Sequence, residues 1–142
     1  MTDHVLCAVD LTHADDAKRI VQKAAELARY NDAAYTVMTV IPDYGASWVG
    51  TFFKDGTQRA AAESASEMLH KLVNEALPDH GHVQHVVEIG SVYEKVLEAA
   101  RETNSDLIVV GAHKPDFADK VVGPNASRIV RHSPVSVMVL RM

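Results

Sequence analysis

Two residues stand where a parallel α/β sheet would present chemistry. Asp10 closes a short apolar run, His4 to Val9, and Gly111 closes a second run, Leu107-Ile108-Val109-Val110. A carboxylate at a strand end can accept hydrogen bonds from a ribose or a base. It can equally be a flanking cap that satisfies backbone donors, and the residues alone leave both readings open. Beyond Gly111, the stretches Ala112-His113-Lys114 and Gly123-Pro124-Asn125 frame a polar interval that leads into a helix start. Free N–H groups and the helix dipole attract phosphate at such a start, and Lys114 would add a point charge. An ordinary strand-loop-helix connection with a capping glycine carries the same letters.

Other chemistries find less support. No two glycines stand two residues apart, so there is no GxGxxG, and Gly45 to Gly50 is followed by Thr51 where a phosphate-binding loop would continue with its Gly-Lys pair. His80, His82 and His85 invite a metal, but on one strand His82 and His85 point to opposite faces, and exposed histidines are the simpler reading. Asn125-Ala126-Ser127 matches a glycosylation sequon without anything that directs the chain to secretion. Ser127, His113 and Asp10 could be imagined as a hydrolase, yet no G-x-S-x-G elbow exposes a nucleophile.

The elements that must position these residues follow from apolar spacing. His4 to Val9 reads as a buried strand and Leu11 to His13 as a turn. Ala17, Ile20, Val21, Ala24, Leu27 and Ala28 then mark one helix face, with Asp15 and Asp16 in the first turn. Ala34 to Ile41 predicts a second strand stopped by Pro42, and Asp43 to Gly56 a loop carrying Tyr44, Trp48, Phe52 and Phe53. Ala65, Met68, Leu69, Leu72, Val73 and Ala76 share a helix face that ends before Pro78. His82 to Ile89 predicts a third strand, Gly90 the break, and Ser91 the N-cap of a helix with Val92, Val96, Ala99 and Ala100 inward. Leu107 to Val110 is continuously apolar, as a strand covered on both faces should be, and ends at Gly111. Pro124 suits the first helical position, Ala126, Ile129 and Val130 form a short apolar face, and Val135 to Leu140 is the last strand. This alternation implies an open parallel sheet with helices on both faces, whose ligand site lies at the carboxyl ends of the strands.

Composition bounds the rest. The 142 residues suit one domain, 1–142, and 47% hydrophobic content is enough for a core without disulfides, which the lone Cys7 cannot make. Nineteen acidic residues against fourteen basic ones leave a net charge of −5, the wrong sign for a nucleic-acid partner. No apolar run approaches the ~20 residues of a membrane span, and no leader pattern opens the chain, so a cytoplasmic protein without membrane insertion is expected.

Val9-Asp10, the run from Asp106 through Gly111 to His113, the stretch Gly123-Pro124-Asn125-Ala126-Ser127-Arg128-Ile129-Val130-Arg131-His132, and the ending from Pro134 to Arg141 together resemble the universal stress protein family. The similarity spans essentially the whole chain. His113-Lys114-Pro115-Asp116 with Gly123-x-Asn125 is similar to a small single-domain bacterial branch. The resemblance implies an adenine nucleotide alpha hydrolase-like sheet in the order 3-2-1-4-5. It also implies ATP or another adenine nucleotide, with Mg or Mn carried on the phosphates. Ala8, Val9 and Asp10 would line adenine and ribose, and Val40 would meet the base through its backbone. Gly111, His113, Lys114, Gly123, Asn125 and Ala126 would surround the phosphates. ATP-binding members read G-x-x-G, nine residues, then G and Ser or Thr. Here Lys114 replaces the second glycine, eight residues separate it from Gly123, and Pro124 replaces the hydroxyl residue. The family further implies a stress-response regulator and a homodimer through the C-terminal strand. The aromatic loop 43–56 is a candidate surface for a protein partner, which a nucleotide-free interaction module would use. No positioned general base accompanies the loop, so at most slow ATP hydrolysis or phosphotransfer is expected.

Overall fold

The computed structural model describes residues 2–42, 55–79, 81–112 and 124–142, with the backbone alone at 55–57. The elements alternate along the chain as β1 (His4–Val9), α1 (Ala14–Tyr30), β2 (Ala34–Pro42), α2 (Asp55–Ala76), β3 (Gln84–Gly90), α3 (Val92–Glu102), β4 (Leu107–Ala112), α4 (Pro124–His132) and β5 (Ser136–Arg141). The five strands form one parallel sheet in the order β3-β2-β1-β4-β5, so the order that the resemblance implied is the observed one.

Alternation along β1 splits the core into two layers. Val5, Cys7 and Val9 pack with Ile20, Val21 and Ala24 of α1 and with Leu69 and Val73 of α2. Leu6 points the other way, joining Met38, Ile108, Val96 of α3 and Ile129 of α4. Burial pushes the Cys7 thiol up to about 12, so it stays protonated. The Tyr35 phenol is pushed up as well, first by burial, and its hydroxyl donates to the Val21 carbonyl at 2.8 Å.

Several predicted boundaries move. Asp55 and Gly56 belong to α2 and not to the loop, and the helix begins ten residues before Ala65. Gln58 to Ala61 are exposed, so the first turns carry no apolar periodicity to read. β3 starts at Gln84, leaving His82 outside the strand that was to set it opposite His85. β4 continues through Gly111 and Ala112 because these pair with Leu140 and Arg141. Ser91 does occupy the N-cap position of α3, but its hydroxyl makes no capping bond. The aromatic loop residues from Tyr44 to Phe53, together with His80, lie outside the described residues.

Candidate functional site

The chain leaves β1 for α1 on one face of the sheet and leaves β4 for α4 on the other. The register follows this divergence. β1 pairs with β2 as far as Val9↔Thr39, whereas its pairing with β4 stops at Cys7↔Val109. The carboxyl ends of the two central strands therefore separate, and a crevice opens at the reversal of strand order. Where the β1–β4 ladder has ended, the buried Thr39 hydroxyl donates to the Val9 carbonyl at 2.9 Å.

A cleft of about 310 Å³ occupies this crevice. Ala8, Val9 and Asp10 from β1 and its exit, Val40 from β2, Gly111 from β4, and Pro124, Asn125 and Ala126 from the start of α4 all line it. Of the site residues expected from sequence, His113, Lys114 and Gly123 lie outside the described residues. Ser127 is half-buried and is absent from the described lining, so Asp10 and Ser127 do not meet there. A larger hollow, about 560 Å³, lies along Ser66, His70 and Asn74. All its lining residues belong to α2, so it is an open groove on one helix surface and cannot enclose a small molecule.

The walls are apolar and the ends are not. Val40, Val92, Val96, Val110 and Ile129 give flat aliphatic surface, and Asp10 is the only ionisable side chain among the described lining residues. Asp10 is exposed and forms an Asx turn: its Oδ1 accepts from the Thr12 N–H at 2.9 Å and from the Thr12 hydroxyl at 2.6 Å. The capping reading of Asp10 thus accounts for one of its two oxygens. Oδ1 serves the turn, and Oδ2 has no partner among the described residues.

At the opposite end, α4 begins at Pro124, with Pro124 and Asn125 exposed and no acidic residue in the first turn. Arg131 and His132 sit in its last turn, where positive charge suits the dipole. Proline contributes no N–H, so the donors of the first turn begin at Asn125.

Gly111 has a packing reason as well as a place in the cleft. A Cβ there would stand 2.3 Å from Ile20 Cδ1, so the glycine lets α1 close onto the strand end. Thr12, Ile20, Pro42, Val92, Val96, Val110 and Ile129 line the cleft without having been expected there, and Thr39 supports its floor through Val9. The Asp-x-Thr spacing could have signalled the Thr12 turn, while nothing in the letters points to Thr39 or Ile20. Among the described residues no group of three His, Cys, Asp or Glu is placed to hold a metal, and no helix is long and apolar enough to cross a membrane.

Comparison with known proteins gives the fold its relatives. A sequence model of the universal stress protein family matches residues 1–141. Universal stress protein G of Shigella flexneri is 27% identical over 139 residues, covering 96% of this chain and 97% of that protein. Among solved structures, a universal stress protein in complex with cAMP superposes with a TM-score of 0.69 at 17% identity, over 98% of this chain and 96% of the other. The universal stress protein from Archaeoglobus fulgidus in complex with dAMP gives 0.65 at 20% identity, over 96% of each chain.

Proposed function

The chain belongs to the universal stress protein family, and from that premise we propose that it binds ATP or another adenine nucleotide in the cleft between β1 and β4. One observation carries this reading. The cleft sets an aliphatic wall between a carboxylate with one oxygen spare among the described residues and the exposed first residues of a helix. A purine fits against Ala8, Val9, Val40 and Val92, and ribose hydroxyls can donate to Asp10. The phosphates reach the N–H groups of Asn125 and Ala126 and the sequence that precedes them, Gly111, His113, Lys114 and Gly123. Two relatives of the same fold hold cAMP and dAMP, which supports the adenine class. Mg or Mn would arrive on the phosphates, since Asp10 is the sole carboxylate in the described lining.

In the cell the protein would act as a cytoplasmic stress-response regulator whose nucleotide occupancy changes its partners, with the aromatic stretch 43–54 as a contact surface. No catalytic residue is assigned. β5 is an edge strand, with Val137, Met138, Val139 and Leu140 only partly buried, and a homodimer would pair it with its symmetry mate.

Mass spectrometry of small molecules released by acid from freshly purified protein tests the reading. The expected result is a retained adenine nucleotide. Protein that releases none and gives no heat with ATP, AMP or adenosine in calorimetry is a nucleotide-free module instead.

A further inference from the structure

We propose that Thr12 is a specificity-determining residue of the cleft, because it fixes Asp10 so that this end of the site offers hydrogen-bond acceptors only. The proposal rests on the nucleotide reading above, its orientation included, and adds the residue that enforces that orientation. Thr12 lines the cleft together with Asp10. Its hydroxyl has a single proton, and that proton is given to Asp10 Oδ1 at 2.6 Å, while the Thr12 N–H is given to the same oxygen at 2.9 Å. The hydroxyl therefore meets a ligand only through its remaining lone pairs. The carboxylate meets it through Oδ2, which has no partner among the described residues.

Two acceptors side by side suit a group with two O–H donors, such as the 2′,3′-diol of a ribose. They repel a phosphate, which brings acceptors and negative charge of its own. The exposed start of α4 at the other end of the cleft has the opposite character, with N–H donors and no acidic residue in its first turn. A nucleotide is thereby oriented with its diol on Asp10 and Thr12 and its 5′-phosphate toward Asn125. Thr12 is a positioning residue in this arrangement, acting through the oxygen it holds.

Calorimetry with adenosine, 2′,3′-dideoxyadenosine, 5′-AMP and 3′-AMP on the whole chain and on Thr12→Val and Thr12→Ser tests this. The parent should prefer adenosine to the dideoxynucleoside, and 5′-AMP to 3′-AMP, by about tenfold or more, the worth of one charge-assisted hydrogen bond. Thr12→Val, which removes the hydroxyl acceptor but keeps the backbone N–H on Oδ1, should lower both ratios by about threefold or more, and Thr12→Ser should keep them. Asp10→Asn, which puts a donor beside the acceptor, should flatten the ratios independently of Thr12. A purely structural Thr12 would weaken all four ligands by one factor, and unchanged ratios in Thr12→Val overturn the proposal while the nucleotide reading stands. A parent that binds none of the four overturns the nucleotide reading and this orientation with it.

Discussion

The two ends of the sheet each carry an aspartate beside β1 or β4, and the two are used in opposite ways. At the amino end Asp106 has both oxygens committed, Oδ2 to the Asp3 N–H at 2.8 Å and Oδ1 to the His4 N–H at 3.3 Å. A side-chain chain adjoins it. His4 Nε2 lies 2.8 Å from the Thr36 hydroxyl, which donates to Gln84 Oε1 at 3.1 Å. At the carboxyl end Asp10 spends one oxygen on Thr12, the β1–β4 ladder stops early, and a cleft remains. One end closes its polar groups on one another and ties three strands together. The other keeps an acceptor free among the described residues and a helix start exposed, and these are the residues that the proposed nucleotide would meet.

The largest test of that contrast is Gly111→Val, which puts branched carbon where a single Cβ already stands 2.3 Å from Ile20 Cδ1. Overpacking should lower unfolding stability by about 3 kcal/mol in a urea titration and close the cleft to nucleotide as well. An unchanged midpoint would mean that the Ile20 side chain turns aside freely, and that the open end is soft.

Next comes the exchange of aspartates. Asp10→Ala should weaken adenine nucleotide affinity by about 2 kcal/mol, as for loss of a charged acceptor, with little change in the urea midpoint. Asp106→Ala should do the reverse, costing about 1 kcal/mol of stability and leaving affinity alone. Matching losses in both variants would erase the division between the two ends.

Pro124→Ser sharpens the open end by restoring an N–H and a hydroxyl at the start of α4. ATP should tighten by about 1 kcal/mol, with adenosine nearly unchanged. Equal gains for both ligands would remove α4 from the phosphate site.

The smallest effect concerns acid. Burial holds the His4 imidazole below its ordinary pKa, against the opposing pull of Asp106, so the unfolded chain takes up a proton that the folded chain resists. Stability from this source is lost as pH falls through about 6.5. The Asp106 carboxyl is held below the usual carboxylate range, first by the Asp3 N–H, and its contribution is present above about pH 4 and lost on further acidification. Urea midpoints between pH 7.5 and 5.5 should decline for the parent and decline less for His4→Gln. Parallel slopes would remove His4 from the closed end.

Much of this molecule was legible in its letters, for reasons that differ by residue. Leu107 to Val110 declared a strand because a run buried on both faces must be continuously apolar, and Pro124 declared a helix start because its missing N–H costs nothing there. Asp10 could be singled out from its place at a strand end, while only the structure showed that Thr12 takes one of its oxygens. The first turns of α2 were illegible because their exposed residues carry no periodic apolar signal.

What the sequence determined by itself is local: the alternation of strand and helix, the faces that go inward, and the residues at strand ends. These depend on side-chain period and backbone freedom within a few positions. The strand order came from likeness to a family and not from periodicity, since any parallel order satisfies the same burial. Only the tertiary structure decided that β1 and β4 part after Cys7 and Val109, that Ile20 fills the notch over Gly111, and that Asp106 closes one end while Asp10 leaves the other open. The parting of the strands, the Ile20–Gly111 fit and the Asp106 closure join residues about ninety or more positions apart, and no local pattern in a single chain encodes which distant surfaces will meet.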